Sequence, residues 1–140
     1  MSGWEIVPFE KVGDVSFGMR QSDVAALRLG RSRLMKKAGQ PVEQFLDQGL
    51  VVYYTGPSDD QVGVVEFSGP TYPTVNGRLL DRTIKSDPAT LDRLGLETRR
   101  DRFGSIWVYP LGIAFYLEGD SYAVTVFSRG EFSAANAALA

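Results

Sequence analysis

Two stretches of the chain alternate bulky apolar residues with smaller or polar ones in the two-residue rhythm of strands. Leu50-Val51-Val52-Tyr53-Tyr54, the turn Gly56-Pro57-Ser58-Asp59-Asp60, and Val62 to Phe67 predict one β-hairpin. Ile113 to Leu117 and Tyr122 to Phe127, turned by Gly119-Asp120, predict another, and Ile106 to Tyr109 predicts a strand just before it. Successive side chains of a strand point to opposite faces. In the first strands of the hairpins, Leu50, Val52 and Tyr54, matched by Ile113, Phe115 and Leu117, make the bulky face. Val51 and Tyr53, matched by Ala114 and Tyr116, fall on the other, where Trp107 and Tyr109 would join them. The second strands conflict about which face is polar, because Glu66 aligns with Val126.

Weaker patterns fill the rest. Trp4 to Phe9 reads as an edge strand, with Pro8 tolerated there, and Val12 to Phe17 as a second strand. A helix from Ser22 to Leu29 would be capped by Ser22 or Asp23 and closed by Gly30. A basic stretch follows, Arg28, Arg31, Arg33, Lys36 and Lys37, ending at Gly39-Gln40-Pro41, after which Val42 to Leu46 fits a helical turn or a strand equally. Gly69-Pro70-Thr71-Tyr72-Pro73 marks a mid-chain connection. Asp87-Pro88 opens a short helix that carries Leu91 and Leu94 and closes at Gly95, and the alanine-rich tail Ala134 to Ala140 reads as a frayed helix. Each hairpin is preceded by a helix ending in Leu-Gly, at Leu29-Gly30 and Leu94-Gly95. The expected fold is therefore α+β: one compact domain over 1–140, an antiparallel sheet with short helices packed on one face, and two tandem helix–hairpin repeats over 12–69 and 76–130.

Composition narrows the chemistry more than the fold. The 140 residues include no cysteine and no histidine, which removes thiolate nucleophiles, disulfides, imidazole bases and the usual zinc ligands. No Gly-Lys-Ser/Thr loop follows a strand, so a phosphate cradle of that kind is absent. An enzyme would need two acids, or an acid with Lys85 or a tyrosine, to converge, and the spacing suggests neither. Asp59-Asp60 reads as a solvated turn, and Asp81, Asp87 and Asp92 as helix caps and surface acids. Glu66 is the best candidate for a perturbed acid, against the plainer reading of an outward edge residue. No cofactor and no metal are expected.

The formal net charge of −2 argues against a nucleic-acid partner. The N-terminal segment has no basic start or long apolar run, so neither a signal peptide nor a membrane span is expected, and the cytoplasm is the default location. Two basic clusters, Arg28 to Lys37 and Arg99, Arg100 and Arg102, read either as solvated loops or as grips for an acidic protein. The exposed-face aromatics Tyr53, Tyr116, Trp107 and Tyr109, with Arg99, Arg100 and Arg102, are the candidate partner-binding residues, since Tyr, Trp and Arg dominate binding hot spots. Oligomeric state is open.

Phe17-Gly18-Met19, followed by Asp23-Val24, Leu27 and Leu29-Gly30, resembles the opening of the helix–sheet modules found in the β-lactamase inhibitory protein and the SmpA/OmlA outer-membrane lipoproteins. Arg20 stands where those modules commonly carry a Ser or Thr cap. With the later Asn76-Gly77-Arg78-Leu79-Leu80, the chain looks like the immunity proteins of bacterial polymorphic toxin systems. That resemblance implies a cytoplasmic, non-enzymatic inhibitor that covers the active site of a cognate toxin. The alternative reading is a small-ligand-binding or assembly protein.

Overall fold

The computed structural model describes residues 3–55, 60–86, 89–93 and 97–139. Three two-residue strands, β1 (Ile6–Val7), β2 (Lys11–Val12) and β3 (Val15–Ser16), form a small antiparallel sheet, and helix α1 (Gln21–Ala26) follows. Next come β4 (Ser32–Lys37), β5 (Gln40–Phe45), β6 (Leu50–Tyr54) and β7 (Val62–Phe67). The mid-chain holds the hairpin β8 (Thr74–Val75) and β9 (Arg78–Leu79), then helices α2 (Thr83–Ser86) and α3 (Ala89–Arg93). β10 (Thr98–Arg100), β11 (Ser105–Val108), a 3-10 turn (Tyr109–Leu111), β12 (Ile113–Tyr116), β13 (Ala123–Phe127) and helix α4 (Arg129–Leu139) complete the chain.

The large sheet has eight antiparallel strands in the order β10-β11-β12-β13-β7-β6-β5-β4. It consists of two meanders of four consecutive strands, joined where their last strands, β7 and β13, pair. Leu50 lies opposite Phe67 and Val52 opposite Val65, while Ile113 lies opposite Val126 and Phe115 opposite Val124. Phe67 therefore corresponds to Val126, and Glu66 to Thr125. The conflict over the second strands came from an alignment one residue out of step, and a one-residue slip exchanges the two faces. With the correct offset both strands agree: Phe67 and Val126 point inward, Glu66 and Thr125 outward.

The inner face is the core. Leu50, Val52, Tyr54, Val65, Phe67, Ile113, Phe115, Val124 and Val126 pack against Ile6, Val12 and Val15 of the small sheet, Val24 of α1, Ile84 of α2 and Leu91 of α3. Full burial of each such side chain stabilises the fold by about 1.5–3 kcal/mol. Leu80 is also fully buried here, directly after β9. Asn76 (φ +49°) and Gly77 (φ +80°) both adopt the left-handed backbone that a two-residue hairpin turn of matching twist demands, which accounts for Asn-Gly at that place.

The expectation that the helices all pack on one face fails. α4 crosses the outer face, where Phe132 seals Trp107 and Ala114 together with Phe9, Tyr109, Phe127 and Ala135. The Trp107–Phe127 surface is large and apolar, and burying it under a helix removes it from water. Other elements differ in extent. The expected N-terminal strands shrink to β1, β2 and β3, and Tyr109 enters the 3-10 turn. α1 is capped by Arg20: its N–H donates to Oδ2 of Asp23 at 3.0 Å, and the Asp23 N–H donates to its carbonyl at 2.9 Å. The basic stretch becomes the edge strand β4, Val42 to Leu46 falls mainly in β5, and the alanine-rich tail continues a helix that starts at Arg129. The expected turn at 56–59, the cap at 87–88 and the helix closure at 94–95 lie outside the described residues.

Candidate functional site

The outer face divides into a half covered by α4, which reaches from β11 to β7, and an open half over β4, β5, β6 and the Glu66 end of β7. The register aligns Arg33, Gln44, Val51, Glu66, Thr125, Ala114, Trp107 and Arg99 in one row across all eight strands. On the open half, Met35, Lys37, Val42, Gln44, Val51, Tyr53 and Glu66 line a groove of about 310 Å³. Met35, Val42 and Val51 supply its apolar lining, and Lys37, Tyr53 and Glu66 form a linked polar side. The Lys37 ammonium donates to the Tyr53 hydroxyl at 3.1 Å and lies 5.6 Å from the ring centre. The Tyr53 hydroxyl in turn reaches Oε1 of Glu66 at 3.5 Å.

The electrostatics of this cluster hold its protons in place. Burial, reinforced by the nearby Glu66 carboxylate, pushes the Tyr53 phenol up from its ordinary 10.0. The hydrogen bond to Tyr53 pushes the Lys37 ammonium above its ordinary 10.5. A base or nucleophile working at neutral pH needs a shift in the other direction for lysine or tyrosine. As arranged, the groove offers a cation, a phenol and a carboxylate beside an apolar lining, a set suited to recognition.

Tyr116 shares the outer face with Tyr53 but not its neighbourhood. The strands β6 and β12 run in opposite directions, and each tyrosine lies two residues beyond the shared row. Three strand spacings and four residues of rise put the two Cα atoms about 20 Å apart. Tyr116 is exposed, and its hydroxyl donates to Glu118 at 2.8 Å. Trp107, expected on an open surface, is on the outer face but only 8% exposed, stacked on Phe127 and capped by Phe132. Tyr109 is half-buried and edge-on to Phe132. These two rings complete the small outer core, so the four aromatics do not form one patch.

Arg99, Arg100 and Arg102 are exposed at the opposite sheet edge, where β10 turns into β11. With Asp101 and Trp107 they line a depression of about 150 Å³. Asp101 organises the turn. Its Oδ1 accepts from the N–H groups of Phe103 and Ser105 at 2.8 and 3.0 Å, and its Oδ2 accepts from the Trp107 indole at 2.8 Å. Burial would raise this carboxyl, but those hydrogen bonds prevail and hold it below 3.8. Arg102 stacks on the exposed Phe103 ring at 5.0 Å.

Sequence reasoning passed over Met35, Val42 and Gln44, placed Val51 on the open face without assigning it a role, and weighed Lys37 only as part of a basic cluster. Their assembly depends on β4 and β5 being strands, and the basic run carried no apolar alternation to signal that. Lys85, weighed as a catalytic amine, donates instead to the carbonyls of Leu117, Gly119 and Ser121 and ties down the β12–β13 turn. Buried Glu43, facing inward, accepts from the Tyr54 hydroxyl and the Ser32 hydroxyl, each at 2.7 Å. Among the described residues no three acids gather to hold a metal ion, and no helix is long and apolar enough to cross a membrane. Comparison with protein-family models, curated proteins and solved structures finds no match to this chain.

Proposed function

We propose that this chain is a non-enzymatic protein-binding module that grips its partner with the open half of the outer sheet face. The carrying observation is the groove of Met35, Lys37, Val42, Gln44, Val51, Tyr53 and Glu66, which no element of the chain covers among the described residues. Tyr53 stands at its polar side, where an aromatic anchor beside charged groups has the make-up of a binding hot spot. The raised proton affinities of Lys37 and Tyr53 support recognition over proton transfer. The paired meanders, with Leu50 matching Ile113 and Phe67 matching Val126, read as two copies of one helix–strand unit.

The narrower reading is an immunity protein that acts in the cytoplasm and occludes the active site of a cognate bacterial toxin. Its support is the sequence resemblance through Phe17-Gly18-Met19 and Asn76-Gly77, not the groove. The test is co-expression with the variable C-terminal domain of a secreted protein encoded beside this chain. A stoichiometric complex, restored growth, and loss of affinity by about thirtyfold for Tyr53→Ala, or ~2 kcal/mol, are the expected results. Tyr116→Ala, in the opposite corner, is expected to weaken binding less. Growth arrest unrelieved by co-expression removes the toxin reading, and a complex indifferent to both substitutions removes the surface.

A second reading has one observation behind it. The groove volume of about 310 Å³ reaches the lower end of the range for small-ligand pockets. Native mass spectrometry of the purified protein separates the two readings: a retained small molecule lost on Val51→Trp favours the ligand.

A further inference from the structure

We infer that β4 is a docking edge for an acidic, extended segment of a protein partner, which adds to the large sheet as a ninth strand. This rests on the protein-binding reading above and names how such a partner is engaged.

Among the described residues β4 pairs only with β5, and all six of its residues are exposed. The Leu46 N–H donates to the Arg31 carbonyl at 3.0 Å, which sets the phase of the ladder. Hydrogen-bonded pairs alternate in an antiparallel ladder, so Arg33, Met35 and Lys37 direct their backbone groups to β5. The N–H and C=O of Ser32, Leu34 and Lys36 point away from the sheet. The edge thus presents three residues' worth of backbone donors and acceptors in strand geometry, and the hairpin turn at Ala38 (φ +52°) and Gly39 (φ +82°) holds it in register.

The side chains select the partner's chemistry. From Arg28 to Val42 the sequence carries Arg28, Arg31, Arg33, Lys36 and Lys37 and no acid. Arg31 is paired with Asp47 at 3.0 Å. Arg33, Lys36 and Lys37 form no ion pair among the described residues: Arg33 donates to the neutral Gln44 side chain, and Lys37 to Tyr53. Lysine on an edge also guards against unwanted pairing. That role alone leaves unexplained why Leu34 (57% exposed) and Met35 (43%), one on each face, stand bare between the cations. Opposing residues interact pairwise across strands. A complementary strand therefore places carboxylates opposite Arg33, Lys36 and Lys37 and apolar side chains opposite Leu34 and Met35.

A second copy of this chain does not meet that requirement. Pairing two β4 edges would bring Lys37 against Arg31 and gather both basic clusters. Pairing β4 with β10 would set it against Arg99 and Arg100.

The test uses the intact protein and a capped peptide, Thr-Glu-Glu-Val-Val-Glu-Thr, with Thr-Lys-Lys-Val-Val-Lys-Thr as control, read by amide hydrogen exchange and chemical-shift titration. At a peptide concentration ten times the fitted Kd, exchange at Ser32, Leu34 and Lys36 should slow about tenfold, following 1 + [L]/Kd. The lysine peptide should have no effect. Leu34→Pro removes an outward N–H without breaking the β4–β5 ladder, and it should abolish protection at Ser32 and Lys36 while leaving the thermal unfolding midpoint nearly unchanged. Protection that grows with protein concentration alone, protection by both peptides, protection at Thr98 and Arg100 instead, or none up to the solubility limit would overturn the inference. Tyr53→Ala distinguishes the layers. If it abolishes partner binding while Leu34→Pro does not, the module reading stands and the edge falls; if neither matters, both fall.

Discussion

The Phe132 ring of α4 stands edge-on to the Trp107 indole, with centroids 5.6 Å apart and planes at 65°. Phe132 also meets Phe9, Tyr109 and Phe127 at 5.7, 5.8 and 5.7 Å, so one side chain seals the outer core. Phe132→Ala is expected to cost about 3–5 kcal/mol. It should also shift Trp107 fluorescence to longer wavelength while Trp4, packed on Phe67, keeps its emission. Denaturant titration followed by fluorescence checks both, and unaltered emission would mean that α4 does not cover Trp107.

Asp101→Ala removes an acceptor from two backbone N–H groups and the Trp107 indole. Leaving such donors unsatisfied costs about 1–3 kcal/mol, and the arginine-bearing turn should loosen with it. The pH dependence has a definite sign. Asp101 is held below 3.8 in the folded state, so its contribution is present above that value and is lost as pH falls through the lower folded one. Asp81, lowered by hydrogen bonds from Thr83, acts in the same direction. Urea titrations across the acid range should show a shallower acid loss for Asp101→Asn than for the parent chain.

At alkaline pH the tyrosines dominate. Burial, then the hydrogen bond to Glu43, raises Tyr54 far above 10.0, and burial does the same to Tyr122, whose hydroxyl donates to the Leu80 carbonyl at 2.8 Å. An unfolded tyrosine gives up its proton near 10, whereas these two retain theirs when folded. Their contribution is whole below about pH 10 and is lost as pH climbs from there toward their folded values. Stability is expected to decline steeply above about pH 10, with tyrosinate absorbance rising together with unfolding, and Tyr122→Phe should flatten that decline.

Gly49 tests the junction of the sheet with the mid-chain. It has φ +70°, and an added Cβ would fall on the Gly69 carbonyl. Gly49→Ala is expected to cost about 3 kcal/mol or more, from left-handed strain and overpacking together. Gly39→Ala, with φ +82° but open space around it, should cost only about 1–2 kcal/mol. Thermal melts of the two variants separate crowding from backbone strain.

What could be read in advance follows burial. β6, β7, β12 and β13 lie in the middle of the sheet, so their inner residues are apolar by necessity and their alternation shows in the sequence. β4 and β10 are edges with water on both sides; nothing compels an apolar rhythm there, and Arg99-Arg100 and the run to Lys37 looked like loops. β8 and β9 are too short for a period, although Asn76-Gly77 carried their turn. Tyr53 was singled out from strand phase and Glu66 as a lone acid in an apolar strand, and the two meet in the groove. Tyr116, Trp107 and Tyr109 were expected on one open surface with Tyr53, but a strand's phase reveals a face and not what lies over it, and only the placement of Phe132 in α4 supplies that.

The meeting of β7 with β13 also sets a kinetic order. Every other pairing in the large sheet joins strands that follow one another directly, but Val64 must find Phe127 across nearly half of the chain. Closing so long a segment sacrifices chain entropy before any contact offsets it. Each meander is therefore expected to zip from local contacts, leaving one late encounter between two half-built surfaces as the slow step toward the finished sheet.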